Sequence, residues 1–122
     1  MSVAIEVSVN SSGFSEALEQ LIEQYPGAVG EALLNVGQQM LQLSNVLVPV
    51  RTGFLKSTLG VRQNGDFSIT LYAGALYAVY VEYGTRRMSP RLFLTRAWQQ
   101  YQDSFAPAII EALEQLYETL FE

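Results

Sequence analysis

The chain has 122 residues, 49% of them hydrophobic, and a formal net charge of −5. This size and apolar content predict one folded domain over residues 1–122 with a hydrophobic core. The sequence contains neither cysteine nor histidine, which excludes thiolate nucleophiles, disulfides, cysteine–histidine zinc sites and the commonest general base. We therefore expect a protein that is not an enzyme and that binds no cofactor or metal.

Two stretches of the sequence are candidates for targeting or membrane segments: the N-terminus and the longest uncharged stretch. Residues 1–10 lack the basic segment and the apolar run of a signal peptide. Residues 32–50 carry no charge but contain five amide side chains, which a lone transmembrane helix tolerates poorly. We expect a soluble protein without a membrane partner.

The charges are segregated along the chain. All seven basic residues lie between positions 51 and 96, where only Asp66 and Glu82 oppose them, and both flanking segments carry only acids. A basic middle between acidic ends suits head-to-tail contact between copies. The alternative is that folding interleaves the two signs in ordinary intramolecular pairs. The acidic balance and the few lysines argue against sequence-specific binding of nucleic acid.

Three elements are predicted before residue 50. Alternating apolar residues predict a strand over residues 3–9. Apolar spacings of three and four from Phe14 to Tyr25 predict an amphipathic helix, for which residues 11–13 offer caps. Pro26 then begins a second helix, either separate from the first or a kinked continuation of it. Its polar face is rich in amides and almost uncharged after Glu31. This face either contacts another subunit or is an exposed glutamine face.

Two strands, over residues 57–62 and 66–73, are predicted to form a hairpin. A two-residue loop at Asn64 and Gly65 would place the two apolar sets on opposite faces of the sheet. The pattern therefore favours a three-residue loop, residues 63–65, with Gly65 in the left-handed position of a type I turn with a G1 bulge. The resulting cross-strand pairs are Arg62–Asp66, Val61–Phe67 and Leu59–Ile69.

Residues 77–98, YAVYVEYGTRRMSPRLFLTRAW, form the central stretch of the chain, which is predicted to contain a short helix, a charged loop and the start of another helix. Tyr77, Tyr80 and Tyr83 recur at helical spacing, and we expect Tyr77 and Tyr80 to pack towards the core. Gly84 is expected to end this short helix with a positive φ. A long apolar stripe then predicts a C-terminal helix that is interrupted near residues 103–104, because Pro107 lies within it.

Together these elements predict an α+β fold. A small, mainly antiparallel sheet, formed by residues 3–9, 57–62 and 66–73, would pack against two to three helices that include the long C-terminal helix. No glycine-rich phosphate loop follows a strand. The adjacent Lys56 and Ser57 cannot form a catalytic dyad by themselves.

Three segments, taken in order, resemble the HK97 gp10-like family of tailed-phage proteins. Residues 48–57 (VPVRTGFLKS) are similar to its Pro-x-x-Thr-Gly-x-Leu segment, and residues 77–85 (YAVYVEYGT) to its Tyr-Ala-x-x-Val-Glu-aromatic-Gly-Thr segment. Residues 88–97 (MSPRLFLTRA) are similar to its Pro-Phe-Leu-x-x-Ala helix start, with Leu92 in place of the usual Pro. The positions that carry the resemblance are Pro49, Thr52, Gly53, Leu55, Tyr77, Ala78, Val81, Glu82, Gly84, Thr85, Phe93 and Leu94.

The resemblance implies a structural virion component at the head–tail junction, acting in the neck, in head–tail joining, or in tail completion or termination. Its partners would be other copies of itself, in a ring around the DNA channel with six-fold favoured over twelve-fold symmetry, and other neck and tail-tube proteins. It would reside in the virion, and in the host cytoplasm during assembly. The alternative is an assembly chaperone or adaptor that acts as a monomer or dimer.

The basic residues near the central loop are candidates for the subunit interface. We expect Arg86, Arg87 and Arg91 to meet an acidic face of a neighbouring copy. The candidate acidic residues are Glu111, Glu114 and Glu118. Several pairs would have to act together, because an exposed ion pair alone contributes little.

Overall fold

Three strands and six α-helices are present in the part of the chain that the structure describes. The computed structural model describes residues 2–10, 15–49 and 53–121, with side chains described up to residue 119. In chain order the elements are β1 (Val3–Ser8), α1 (Glu16–Gln24), α2 (Pro26–Leu47), α3 (Phe54–Ser57), β2 (Leu59–Gln63), β3 (Ser68–Ala73), α4 (Ala78–Tyr83), α5 (Phe93–Tyr101), a 3-10 turn (Gln102–Ser104) and α6 (Phe105–Phe121). The chain has the predicted α+β fold, an antiparallel sheet packed against helices.

Strand β3 lies at the centre of the sheet. It pairs antiparallel with both β1 and β2, which gives the strand order β1-β3-β2. On its inner face Ile69, Leu71 and Ala73 are fully buried. On the outer face Glu6 and Ser8 of β1 are exposed. Alternation along the strands thus gives the sheet one apolar face and one polar face.

The predicted hairpin register is wrong. Val61 pairs with Leu71 and not with Phe67, so its partner lies four residues further along the chain. A shift by an even number of residues keeps every side chain on its own face, so the alternating pattern permits both registers. The observed bounds of β3, Ser68 and Ala73, are also the bounds of its pairing with β1. The other predicted pairs differ by the same four residues: Leu59 pairs with Ala73, and Arg62 pairs with Thr70.

The turn of this hairpin also differs from the prediction. Gly65 has the expected positive φ, +129°, but not the left-handed helical value of a G1 bulge. Strand β3 begins only at Ser68, and Phe67 is a turn residue that is 37% exposed. The Phe67 carbonyl accepts a hydrogen bond from the Val9 N–H at 2.8 Å, which extends the pairing of β1 with this segment.

Helix α2 packs against the inner face of the sheet. Pro26 lies in its first turn as predicted, and the predicted apolar stripe is fully buried at Val29 and Met40. At Gly37 a Cβ would lie only 2.7 Å from Ile69 Cδ1. The missing side chain therefore lets the helix approach the sheet closely.

Helix α1 begins after Ser15, whose hydroxyl accepts a hydrogen bond from the Leu18 N–H at 3.4 Å. The caps predicted at residues 11–13 lie outside the described residues. On the polar face of α2 the side chains of Gln38, Gln39 and Gln42 are exposed. Within the described ranges, no helix combines the length and the apolar character needed to cross a bilayer.

The C-terminal stripe forms two helices, with the break at the predicted place. Helix α5 ends at Tyr101, a 3-10 turn covers Gln102–Ser104, and α6 begins at Phe105. The rings of Trp98 and Phe105 pack across the break, with centroids 6.0 Å apart. Pro107 lies in the first turn of α6, where a proline is tolerated, so the helix restarts there and does not continue from α5.

The predicted packing of Tyr77 and Tyr80 into the core is wrong. Their side chains are 42% and 52% exposed, and the inner face of α4 is formed by Ala78 and Glu82, which are both fully buried. Residues four apart share one face of a helix. Since Ala78 and Glu82 occupy the buried face, the tyrosines lie on the outer one.

Candidate assembly interface

A buried carboxylate joins α4 to α5. The Glu82 side chain is fully buried. Its two oxygens accept hydrogen bonds from the Leu94 N–H at 2.9 Å, the Thr95 N–H at 3.0 Å and the Thr95 hydroxyl at 2.5 Å. These N–H groups belong to the first turn of α5, where a helix has no partners of its own for them. Glu82 therefore caps α5, and the helix dipole favours a negative charge at this end.

Backbone hydrogen bonds fasten the same two elements. The Arg91 N–H donates to the Val81 carbonyl at 2.9 Å, and the Leu92 N–H donates to the Glu82 carbonyl at 3.1 Å. Leu92 enters α5 in the left-handed conformation, with φ +49°. Residues 84–91, here named the basic loop, thus have both ends fixed beside the buried Glu82.

The basic loop carries a tight turn with two arginines at its tip. The Thr85 N–H donates to the Met88 carbonyl at 2.9 Å, and the exposed Arg86 and Arg87 lie between these two residues. Gly84 precedes the turn with the predicted positive φ, +80°. A Cβ at Gly84 would lie 2.8 Å from the Met88 carbonyl oxygen, so the close return of the chain requires glycine here.

The basic loop lines a pocket of about 380 Å³, here named the basic pocket. Its arginines are Arg87 and Arg91 from the loop and Arg96 from α5, and Leu47 at the end of α2 also contributes to its lining. All three arginines are exposed. Sequence reasoning identified Arg87 and Arg91 but missed Arg96. The signal that could have found it is the concentration of all basic residues in one segment.

Large exposed apolar side chains, most of them aromatic, lie on α3, on α4 and on the residues just before α4. Tyr80 and Tyr83 of α4 are 52% and 58% exposed, and Leu76 is 79% exposed. The ring centroid of Tyr77 lies 6.3 Å from that of Phe54 on α3. We name these five residues the aromatic surface. A group of large exposed apolar side chains is typical of a protein contact surface.

A groove of about 480 Å³, here named the acidic groove, runs between α2 and α6. The exposed side chains along its rims are polar, and the small residues between them are buried or half-buried. The Gln115 amide donates to the Glu111 carboxylate at 3.4 Å. The rims of the groove carry Glu31, Asn35, Glu111 and Gln115, and its floor includes Ala32 and Ala112.

The structure does not bring the predicted acidic and basic partners together within one chain. Glu111, Glu114 and Glu118 are all exposed on α6. The acidic groove spans α2 from Ala28 to Gln39, whereas the basic pocket adjoins this helix at Leu47. At 1.5 Å per residue, the middle of the groove lies about 20 Å from Leu47 along the helix axis. The opposite charges therefore occupy separate surfaces.

The residues that carry the family resemblance differ in how far they are buried. The buried ones are Leu55, Ala78, Glu82, Phe93 and Leu94. Gly53 has φ +79° at the start of α3, Pro49 and Val81 are half-buried, Thr85 is exposed, and Thr52 lies outside the described residues. No cluster of three or more potential metal-ligating side chains occurs among the described residues.

A fold that presents a fixed basic loop, an aromatic surface and an acidic groove has the features of a protein-binding structural component. The family model described as "Bacteriophage HK97-gp10, putative tail-component" matches residues 14–84, which is more than half of the chain. The chain belongs to this HK97 gp10-like family of phage tail components, as the sequence motifs indicated. Membership of a structural tail family implies a protein that is not an enzyme. Searches of curated proteins and of solved structures found no match.

Proposed function

We propose that this chain acts at the head–tail junction of a tailed phage, in the neck or at the end of the tail. It assembles there from identical copies into a ring around the DNA channel, with six-fold symmetry favoured. Residues 1–122 act as one domain, made in the host cytoplasm and retained in the virion. Other neck and tail-tube proteins bind the ring.

The separation of opposite charges on the folded chain supports this proposal. Arg86 and Arg87 stand at the exposed tip of the basic loop, while the acidic side chains of α6 are exposed elsewhere. The basic pocket, which adjoins α2 at Leu47, and the middle of the acidic groove lie about 20 Å apart along this helix, so we do not expect one copy to pair these surfaces with each other. A neighbouring copy can, because complementary charged surfaces steer and orient association.

Contact between two different surfaces of the same chain is heterologous. Such contacts generate a closed ring when the rotation between copies closes, and an open filament when it does not. Exposed ion pairs contribute little individually. The aromatic surface beside the basic loop supplies apolar area of the kind found in interface cores, where tyrosine and phenylalanine are enriched.

Complementation of a phage that lacks this gene tests the proposal. Arg86→Glu together with Arg87→Glu should abolish the joining of heads to tails, counted as DNA-filled heads and free tails, because both charges at the loop tip are reversed. The fold should be retained, since exposed loop charges contribute little to the core. A partial return of infectious particles is expected when Glu114→Arg and Glu118→Arg are added.

A control variant and a second measurement accompany this experiment. The control, Arg62→Glu, reverses an exposed charge on the outer face of the sheet and should leave the titre unchanged. Mass spectrometry of purified particles separates a virion component from a chaperone, which would be absent from finished particles. Normal infectivity of the double arginine variant, or absence of the chain from particles, would overturn the proposal.

A further inference from the structure

The acidic groove has the chemistry of a receptor for arginine side chains. Ala32 and Ala112 lie on its floor, and Glu31 and Glu111 lie on opposite rims, one on each helix. The aliphatic stem of an arginine can lie along an apolar floor while its guanidinium group reaches a carboxylate at the rim. The volume of about 480 Å³ is in the usual range of about 300–1,000 Å³ for ligand sites.

The basic loop has the complementary form. Residues 85–91 are all exposed, with Arg86 and Arg87 at the two central positions of the turn. The bonds between Thr85 and Met88 close the turn, and Glu82 fixes the elements on either side of it. A segment that is already ordered loses less conformational entropy on binding.

We infer that the acidic groove is the receptor for the basic loop of a second copy. Arg86 and Arg87 enter between α2 and α6, and their guanidinium groups bind Glu31 and Glu111. This inference rests on the proposed function and names the receptor surface for it. It adds Glu31, which the sequence analysis did not place at the interface. Glu114 and Glu118 do not line the groove, so their charges act from beside it on α6 and contribute less than those of Glu31 and Glu111.

The basic loop and the acidic groove of one copy adjoin different parts of α2. Ser89 lines the basic pocket together with Leu47, and Asn35 lies on the groove rim twelve residues earlier in α2. Twelve helical residues span about 18 Å. Docking therefore links different copies, and each copy offers one loop and one groove.

Cysteine trapping in assembled particles tests the docking. The chain contains no cysteine, so Ser89→Cys with Asn35→Cys introduces two thiols and removes no charge. A disulfide needs Cα atoms within about 7 Å, and Leu47, which lines the same pocket as Ser89, lies ~18 Å from Asn35 along α2, so we expect the bond to form between copies. Docking predicts a ladder of dimers, trimers and larger products on a non-reducing gel of purified particles. Ser89→Cys with Glu23→Cys, which places the second thiol on α1, should give no ladder.

Charge reversal provides a second measurement that does not depend on trapping. Glu31→Arg with Glu111→Arg should lower the titre by about tenfold or more, because two charge contacts at the centre of the interface become repulsive. Adding Arg86→Glu and Arg87→Glu should restore it. Glu16→Arg with Glu23→Arg makes the same charge change on the exposed face of α1 and should have no effect.

The outcomes separate this inference from the proposed function. Particles that contain the double-cysteine chain but give no ladder would overturn the docking and leave the proposed function standing. If the double-cysteine chain does not assemble, an unchanged titre on reversal of Glu31 and Glu111 would overturn it. Absence of the unmodified chain from finished particles would overturn the proposed function, and the docking with it.

Discussion

At the scale of single residues, the buried carboxylate of Glu82 holds the basic loop in place. A charged group without partners inside a protein would be strongly destabilising. Here the carboxylate accepts three hydrogen bonds from the first turn of α5, and the helix dipole adds to their effect. The residue therefore acts on any interface indirectly, by fixing the two ends of the loop that carries Arg86 and Arg87.

Glu82→Gln should lower the free energy of unfolding by about 1–3 kcal/mol. The glutamine amide keeps the shape of the side chain but has no charge, so the charge-assisted hydrogen bonds are lost. Its NH2 group also faces hydrogen-bond donors, from which it cannot accept. Urea unfolding followed by the fluorescence of Trp98, the single tryptophan, measures the change close to the capped helix. Tyr83→Gln, an exposed neighbour, is the matched control and should change stability by less than about 0.5 kcal/mol. Equal stability of Glu82→Gln and the original chain would refute the capping role.

Leu92 offers a second test at this scale, because its left-handed conformation excludes proline, the residue at this position in the motif that residues 88–97 resemble. Proline fixes φ near −65° and has no N–H, whereas Leu92 has φ +49° and donates to the Glu82 carbonyl. Leu92→Pro should therefore destabilise the chain by about 3 kcal/mol. Leu92→Gly, which tolerates positive φ, should have a smaller effect in the same thermal unfolding experiment. A proline variant as stable as the original would show that the loop enters α5 in another conformation.

At the scale of elements, the closeness of α2 to the sheet depends on glycine. Gly37→Val should destabilise the chain by about 1–3 kcal/mol, since added methyl groups meet Ile69 and Val61 in a packed region. Gly27→Ala on the same helix has no neighbour within 4 Å, and should leave stability unchanged or raise it by up to about 1 kcal/mol. Denaturant midpoints of the two variants give the comparison. The prediction fails if both variants shift the midpoint upwards.

The elements themselves follow from local patterns in the sequence. Pro26 starts α2, Gly84 ends α4 and Pro107 places the break before α6, because each residue acts on its own backbone or on the preceding turn. The hairpin register does not follow in this way. The face of Val61 was predictable from alternation, but the choice between Phe67 and Leu71 as its partner was not, because a shift of four residues leaves every side chain on the same face.

The aromatic surface could not be located from spacing alone for a related reason. Three tyrosines at intervals of three define one face of α4, but so do Ala78 and Glu82, and only one face can be buried. Composition favours burying the tyrosines. The structure buries the glutamate, because the first turn of α5 supplies the hydrogen-bond donors that a buried carboxylate requires.

At the scale of the whole molecule, the surfaces that differ most in chemistry lie apart from each other. The basic loop directly follows α4, which carries Tyr80 and Tyr83 of the aromatic surface, and the basic pocket adjoins α2 at Leu47. The acidic groove adjoins an earlier part of α2, from Ala28 to Gln39. A chain that binds copies of itself head to tail requires such an arrangement, since donor and receptor surfaces must both be accessible. In the proposed contact between copies, the charges would orient the partners and the aromatic side chains would supply buried area.

Tyr80→Gln with Tyr83→Gln tests the aromatic contribution separately from the charges. Both side chains are more than half exposed, and glutamine is a good helix former, so the urea midpoint should hardly change. Incorporation into particles should fall by about tenfold or more, because buried tyrosines are among the residues that contribute most to interfaces. Quantitative mass spectrometry of purified particles measures the incorporated amount. Phe67→Gln, at a partly exposed aromatic in the hairpin turn, is the control and should be incorporated normally. If the tyrosine variant is incorporated as well as the control, the aromatic surface lies outside the assembly contact, and the charged surfaces alone orient the copies.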